Sequence, residues 1–120
     1  ANEELKMAAR KFASNFESLS NQSAVQVGAW ADLGDCKQLD YGVVKGSGTI
    51  TDGAMELVCR DDANHPEFTV LTLDAAALDA LNTRGFQSSE PRPHGSQFAW
   101  LITTAIVGGT VTATINGQGA

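Results

Sequence analysis

The chain has 120 residues, 42% of them hydrophobic and 18% charged, which is typical of a folded globular domain and excludes a disordered chain. This length fits one domain, residues 1–120, without a second core. Eight basic and fourteen acidic residues give a formal net charge of −6, which argues against tight nucleic-acid binding, since that depends on clustered Lys and Arg. No apolar run reaches the roughly 18 to 20 residues of a membrane span.

Residues 2–20 predict an amphipathic helix. Glu3 and Glu4 would lie in its first turn, where acidic side chains complement the helix dipole. The apolar residues recur at steps of three and four and would form one stripe, expected to pack on a sheet. These residues are Leu5, Ala8, Ala9, Phe12, Phe16 and Leu19.

From residue 24 onward the apolar period changes to two, and turn residues recur every eight to twelve positions. The predicted fold class is therefore α+β: an N-terminal amphipathic helix packed on a curled antiparallel sheet or sandwich, with one short extra helix. The β-rich body would span residues 24–116, and residues 117–120 would form a short flexible tail.

Alternating apolar residues predict the first strands of this body. They comprise Val25 and Val27, then Leu39, Tyr41 and Val43, then a hairpin that turns at Asp52 and Gly53. In that hairpin Ile50 would face Met55, and Gly46 would face Cys59.

Residues 68–73 predict another strand. Asp74 would then cap a short helix that runs to Leu81 or Asn82. Residues 87–96 contain two prolines, a glycine and hardly any apolar residue, which favours a mobile surface loop.

The last predicted pair of strands is a hairpin. Residues 98–107 and 110–115 would be joined by the Gly108-Gly109 turn. Pairing Ile106 with Val111, and Ile102 with Ile115, gives the hairpin one apolar face directed into the core, which Trp100 would extend.

The two cysteines, Cys36 and Cys59, match no zinc or redox spacing. The hairpin register places a glycine opposite Cys59, so two buried free thiols are favoured over a disulfide.

Acidic residues form two clusters, but neither has the spacing of a calcium loop. The turn around Asp61, Asp62 and His65 is expected to be a solvated turn closed by local hydrogen bonds. A nucleophile next to a base is not evident. The sequence therefore predicts a protein that is not an enzyme, with no catalytic residue, cofactor or metal ligand. The acids concerned are Asp32, Asp35 and Asp40, and Asp61, Asp62 and Glu67.

Several segments together resemble the small head-to-tail joining and tail-tube proteins of tailed bacteriophages. The resemblance covers most of the chain, as a pattern rather than a diagnostic motif. The segments are residues 3–19, 30–34, 39–42, 46–53, 68–74 and 109–117.

The resemblance implies a structural protein that forms rings around a DNA channel in the virion and is assembled in the host cytoplasm. Its partners would be copies of itself and neighbouring structural proteins, and an acidic lumen would let DNA pass without binding it. The expected assembly contacts are Gln87, Ser88, Ser89, Glu90, Arg92, His94, Asn116 and Gln118. The candidate channel-lining acids are Asp32, Asp35, Asp40, Asp61 and Asp62.

Two alternatives stay open. A helix before a sheet also fits the soluble domain of a type IV pilin or pseudopilin, in a cell-surface or periplasmic filament. A small-ligand or metal-binding module is the third class. A chain that opens on Ala1 fits removal of an initiator Met, or a processed or truncated export product, which leaves the compartment open.

Overall fold

The computed structural model describes residues 16–34, 36–46, 48–80, 86–91 and 96–118. Nine strands and one helix fall within these ranges. The helix, α1 Ala75–Asp79, has five residues, and no helix of the described ranges is long and apolar enough to cross a membrane. The strands are β1 Phe16–Gln22, β2 Gln26–Val27, β3 Ala31–Asp32, β4 Gln38–Lys45, β5 Asp52–Arg60, β6 Phe68–Leu73, β7 Phe86–Pro91, β8 Gln97–Val107 and β9 Val111–Gln118.

The strands form two antiparallel sheets around one core. The first sheet has the order β1-β9-β4-β7, and the second has the order β2-β8-β5-β6, with β3 also paired to β8. This interleaved order is that of a jelly roll, a double-sheet arrangement built from two Greek keys. The described part of the fold is therefore nearly all-β, and the predicted α+β class is wrong.

The predicted leading helix fails in residues 16–20, which lie in β1. This strand pairs with β9, at Phe16↔Ile115 and Leu19↔Ala113. Pairing buries Leu19 in the core at 2% exposure, and this tertiary contact outweighs a helical periodicity. The pilin alternative rested on a helix that precedes the sheet, and residues 16–20 do not form one. Residues 2–15 of the predicted helix lie outside the described ranges.

The last two predicted strands do not pair as a hairpin, but the side chains that were predicted to face the core do so. β8 and β9 lie in different sheets: β8 pairs with β5, β2 and β3, and β9 pairs with β1 and β4. Alternation along a strand predicts which side chains point inward, but it does not say which strand lies alongside. The predicted apolar face is nevertheless buried, at Trp100, Ile102, Ile106, Val111, Ala113 and Ile115.

The predicted hairpin at Asp52 and Gly53 is also wrong. Both residues lie in β5, where the register with β8 shifts between Asp52 and Ala54. Gly53 has φ +139°, which suits a bulge as well as it suits a turn. The strand before it, β4, pairs instead with β9, for example at Val43↔Ala113.

Both cysteines are buried free thiols, which confirms that part of the prediction. Cys59 lies between Phe68 and Phe98 in the register of the second sheet. Cys36 packs elsewhere, against Gly117, where an added Cβ would come within 3.1 Å of the Cys36 Sγ.

Residues 86–91 form β7, where a surface loop was predicted. The strand pairs with β4 from Gln38↔Pro91 to Val43↔Phe86. Backbone pairing does not require apolar side chains, so the polar composition was misleading. The predicted flexible tail likewise begins inside β9, which extends to Gln118.

Strand β6 confirms its prediction residue for residue. The Asp74 carboxylate caps α1 by accepting a hydrogen bond from Ala77 N at 2.9 Å, and Leu78 is fully buried. The predicted extension of this helix to Leu81 or Asn82 lies outside the described ranges.

Asp79 fastens α1 to the connection between β4 and β5. Its carboxylate accepts hydrogen bonds from Ile50 N at 2.9 Å and from Lys45 Nζ at 3.3 Å. The Lys45 ammonium also donates to the Asp79 carbonyl at 2.9 Å. The backbone hydrogen bond from Ile50, followed by the one from Lys45, holds the pKa of Asp79 below its usual value.

One long side of the sandwich is closed by hydrogen bonds centred on Ser18. Its hydroxyl donates to Ala29 O at 2.8 Å and accepts from Trp100 N at 3.0 Å. Its carbonyl accepts from Ala29 N at 2.9 Å, and Gly28 N donates to Trp100 O at 2.8 Å. A Cβ on Gly28 would collide with the Ser18 carbonyl. These residues therefore join β1 of the first sheet to β8 of the second.

Candidate functional site: assembly surfaces

One end of the sandwich brings together acids from both predicted clusters. Asp32 pairs with Gln97, which pairs in turn with Arg60, so these residues form one row across three strands. Asp61 and Asp62 follow Arg60 in the turn after β5 and are exposed, as is Asp32. We call Asp32, Asp61, Asp62 and Glu67 the acidic end.

Ser96 holds this end together. Its backbone N–H donates to Arg60 O at 3.1 Å, and its carbonyl accepts from Leu33 N at 2.8 Å. Its hydroxyl donates to Asp61 O at 3.0 Å. One residue thus links the turns that carry Asp32 and Asp61, so the acids of two distant sequence segments belong to one surface.

The turn at residues 61–65 is closed by its own side chains, as predicted. Asp62 Oδ1 accepts from Asn64 N at 2.8 Å and lies 2.7 Å from His65 Nδ1. The hydrogen bond with His65 lowers the pKa of Asp62, and the same bond raises the pKa of His65. Among the described residues, no group of three or more His, Cys, Asp or Glu could hold a metal ion.

An aromatic stack, which the sequence analysis missed, lies beside the acidic end. The guanidinium carbon of Arg60 sits 3.7 Å from the centre of the Trp30 ring, and Arg60 Nε donates to Gln97 Oε1 at 2.9 Å. Such cation–π contacts fix the position of an arginine. Arg60, which directly precedes Asp61 in the chain, is therefore held against the sheet.

Not all predicted channel-lining acids join this end. Asp40 lies in β4 of the other sheet, between Asn116 of β9 and Ser89 of β7 in the register. Asp35 lies outside the described ranges. The structure therefore brings Asp32, Asp61 and Asp62 together and leaves Asp40 on the first sheet.

The predicted assembly contacts are distributed along the first sheet. Gln87, Ser88, Ser89 and Glu90 lie in its outermost described strand, β7. Arg92 and His94 lie outside the described ranges.

The remaining two predicted contacts, Asn116 and Gln118, lie in β9 and pair with Asp40 and Gln38 of β4. The Asn116 side-chain Oδ1 is buried without a hydrogen-bond partner. These two residues therefore form part of a sheet rather than of a flexible tail.

Strand β6 forms an edge of the second sheet and pairs, among the described strands, with β5 alone. Its six residues carry no charge and are rich in β-branched and apolar types. Phe68 is 52% exposed, and Leu71 and Leu73 pack partly against the core. An uncharged edge of this kind is a template for pairing with another chain.

The sequence signal for this edge was present, since an uncharged run lies between Glu67 and Asp74. Acidic residues at the two ends of such a run act against non-specific aggregation. The position of the run at a sheet edge needed the topology.

Two nucleophilic side chains of the described core, Ser18 and Cys59, are not activated. Ser18 is buried, and both of its hydroxyl hydrogen bonds hold backbone groups. Burial, followed by the nearby Asp61 charge, raises the pKa of the Cys59 thiol, whereas a reactive thiol needs a lowered pKa. The pairing surfaces are thus the distinctive features of the described residues.

No protein-family model and no curated protein sequence matches this chain. Solved structures do match. The crystal structure of the SPBc2 prophage-derived protein YomS has a TM-score of 0.64 at 12% identity, over 91% of this chain and 93% of that one. The K2 cleaved adhesin domain of Lys-gingipain has a TM-score of 0.51 at 7% identity, over 75% and 61%.

A third structure, from the Bacillus endospore appendages described as disulfide-linked pili, has a TM-score of 0.40 at 13% identity, over 92% and 86%. That score is too low to show a common fold. The first two structures share the fold of this chain, and a shared fold does not by itself carry a function.

Proposed function

We propose that this protein is a structural subunit that assembles with copies of itself in a virion or a related extracellular particle. The likeness to a prophage-derived protein, which covers more than nine-tenths of both chains, supports a phage origin. Jelly rolls also serve as building blocks of viral capsids. The observation that carries the proposal is the uncharged β6 edge on a strongly acidic domain, because such an edge favours pairing with another chain.

Within this proposal the subunit forms a ring of the phage neck or tail tube, with the acidic end facing a DNA channel. Exposed carboxylates repel phosphate, so DNA would pass without being held. Neighbouring rings and other structural proteins would contact β7 and the end of β9. The particle would be assembled in the host cytoplasm.

The size of the protein in solution tests self-assembly. We expect the mass measured by light scattering to rise with protein concentration, and electron micrographs in negative stain to show closed rings. If the micrographs show filaments instead, the structural role is supported and the ring arrangement is contradicted. A monomer at every concentration up to the millimolar range would contradict the proposed function.

Reversing charge at the acidic end tests the channel. In assembled rings, Asp61→Lys combined with Asp62→Lys should produce DNA binding that weakens steeply with salt. The matched control is Asp52→Lys, an exposed acid that lies at the opposite end of β5. If the control binds DNA as tightly as the double variant, the acidic end does not line a channel.

A further inference from the structure

The β6 edge is poorly suited to pairing with its own copy. Glu67 precedes the strand and Asp74 follows it. In an antiparallel pair of two β6 strands, Glu67 of one copy would lie opposite Asp74 of the other, and a parallel pair would set each acid against itself. Like charges in facing positions are destabilising, so the edge favours a basic partner.

The chain contains one segment of that kind. Residues 5–11 hold three of the eight basic residues of the protein, Lys6, Arg10 and Lys11, and no acid. The first fifteen residues carry a net charge of +1, which leaves −7 for residues 16–120. The segment and the body therefore have complementary charge.

We propose that residues 5–11 of one copy dock along the β6 edge of a second copy. This inference rests on the proposed self-assembly and names the contact that produces it. An added strand satisfies the backbone groups of a sheet edge, and the side chains on its two faces supply specificity.

The order of residues in the segment fits the two faces of this edge. In extended form, Leu5, Met7 and Ala9 would share one face, which ends at Lys11, and Lys6, Ala8 and Arg10 would share the other. Beside β6, the apolar face would extend the core past Leu71 and Leu73, which are only partly buried. The basic face would meet Glu56, whose carboxylate accepts from the Thr69 hydroxyl at 3.0 Å on the outer side of the sheet.

The segment is long enough to leave its own domain. Five residue steps join Lys11, the end of the docked segment, to Phe16, where β1 begins, and at about 3.3 Å per residue they span roughly 17 Å beyond the roughly 20 Å of residues 5–11 themselves. β1 and β6 lie at the ends of different sheets. A neighbouring copy is therefore within reach.

Substitutions of Thr72, an exposed residue in register with Glu56, test the sign of the charge at the edge. We expect Thr72→Lys to weaken self-association at least tenfold and Thr72→Glu to maintain or strengthen it. Thr103→Lys, an exposed position in β8, is the matched control and should have no effect. Equal weakening by Lys and Glu at position 72 would overturn the docking of a basic segment.

A charge swap tests the segment itself. Arg10→Glu should weaken association at least tenfold, while Lys37→Glu, the same charge change at an exposed position, should not. Adding Glu56→Lys, at the carboxylate that the basic face would meet, to Arg10→Glu should restore association. Weakening without this rescue would contradict pairing between the two regions.

Crosslinking separates a neighbour from the same chain. When an Ala8→Cys chain and a Thr72→Cys chain are mixed and oxidised, we expect a disulfide-linked dimer that contains both. An Ala8→Cys and Thr103→Cys mixture is the control. If the double variant Ala8→Cys/Thr72→Cys forms only an intramolecular disulfide and no linked dimer, the segment covers the β6 edge of its own chain, which would overturn docking on a neighbour. Association of the unmodified protein without either crosslink would overturn this contact but leave the proposed function standing.

Discussion

The two long sides of the sandwich differ in how they are closed. On the β1 side, Ser18, Gly28 and Trp100 link the two sheets by short hydrogen bonds. On the other side of the second sheet, β6 pairs with β5 alone among the described strands and exposes an uncharged edge. The difference teaches that one side holds the fold together, while the other is available for association.

Gly28→Ala should have the largest effect on folding. The Cβ of the alanine would collide with the Ser18 carbonyl and lie 2.8 Å from Trp100 O. Both are backbone atoms of hydrogen-bonded strands, so neither can move away easily. We expect a loss of about 3 kcal/mol in the free energy of unfolding, measured by urea denaturation. Gly34→Ala is the control, because its Cβ would meet nothing within 4 Å, and it should cost about 1 kcal/mol for its positive φ. Equal losses would mean that the β1 side is not specially closed.

Ser18→Ala should come next. It leaves the Trp100 N–H and the Ala29 carbonyl without the buried hydroxyl that bonds to both, which costs about 2 to 3 kcal/mol. Ser20→Ala, at an exposed position of the same strand, should change stability by less than about 0.5 kcal/mol. A neutral Ser18→Ala would show that the two sheets are held together by side-chain packing alone.

Asp79→Ala should have a smaller effect, because the carboxylate is partly exposed, with 41% of its side-chain surface accessible. The variant removes the acceptor of the Ile50 N–H, so we expect a lower melting temperature at neutral pH. The pKa of Asp79 is lowered from 3.8 in the fold. Its contribution is therefore present above that ordinary value and lost as the pH falls through the lowered one. A difference between variant and wild type that does not shrink as the pH is lowered below 3.8 would contradict this.

The sequence predicted the inner faces of the strands better than their neighbours. Leu39, Tyr41 and Val43 are buried, and β6 has its predicted bounds, because alternation and capping are local properties. Which strands pair depends on contacts between distant segments. The Gly108 turn illustrates this, since it crosses between sheets where a hairpin was predicted.

The candidate site was predicted in a similarly uneven way. The acids were recognised, but only the β3–β8–β5 register showed that Asp32 and Asp61 share one end. Val25 and Val27 followed a core pattern and are instead 62% and 57% exposed, Val27 in the short edge strand β2 and Val25 directly before it. A period of two marks a strand face, and the presence of a covering layer decides whether that face is buried.

The smallest effect is expected at the acidic end, where the exposed Asp62–His65 pair closes a turn. The pKa of His65 is raised from 6.5 chiefly by the hydrogen bond with Asp62, and that of Asp62 is lowered from 3.8 chiefly by the same bond. The His65 contribution is present below its ordinary value and lost as the pH rises through the raised one, and that of Asp62 disappears in strong acid. The pair therefore stabilises the turn between about pH 4 and 6.5. In an NMR titration, Asp62→Asn should return the pKa of His65 towards 6.5, and Asp61→Asn should move it less. The reverse order would mean that the charge of the whole end, rather than this one hydrogen bond, sets the protonation of His65.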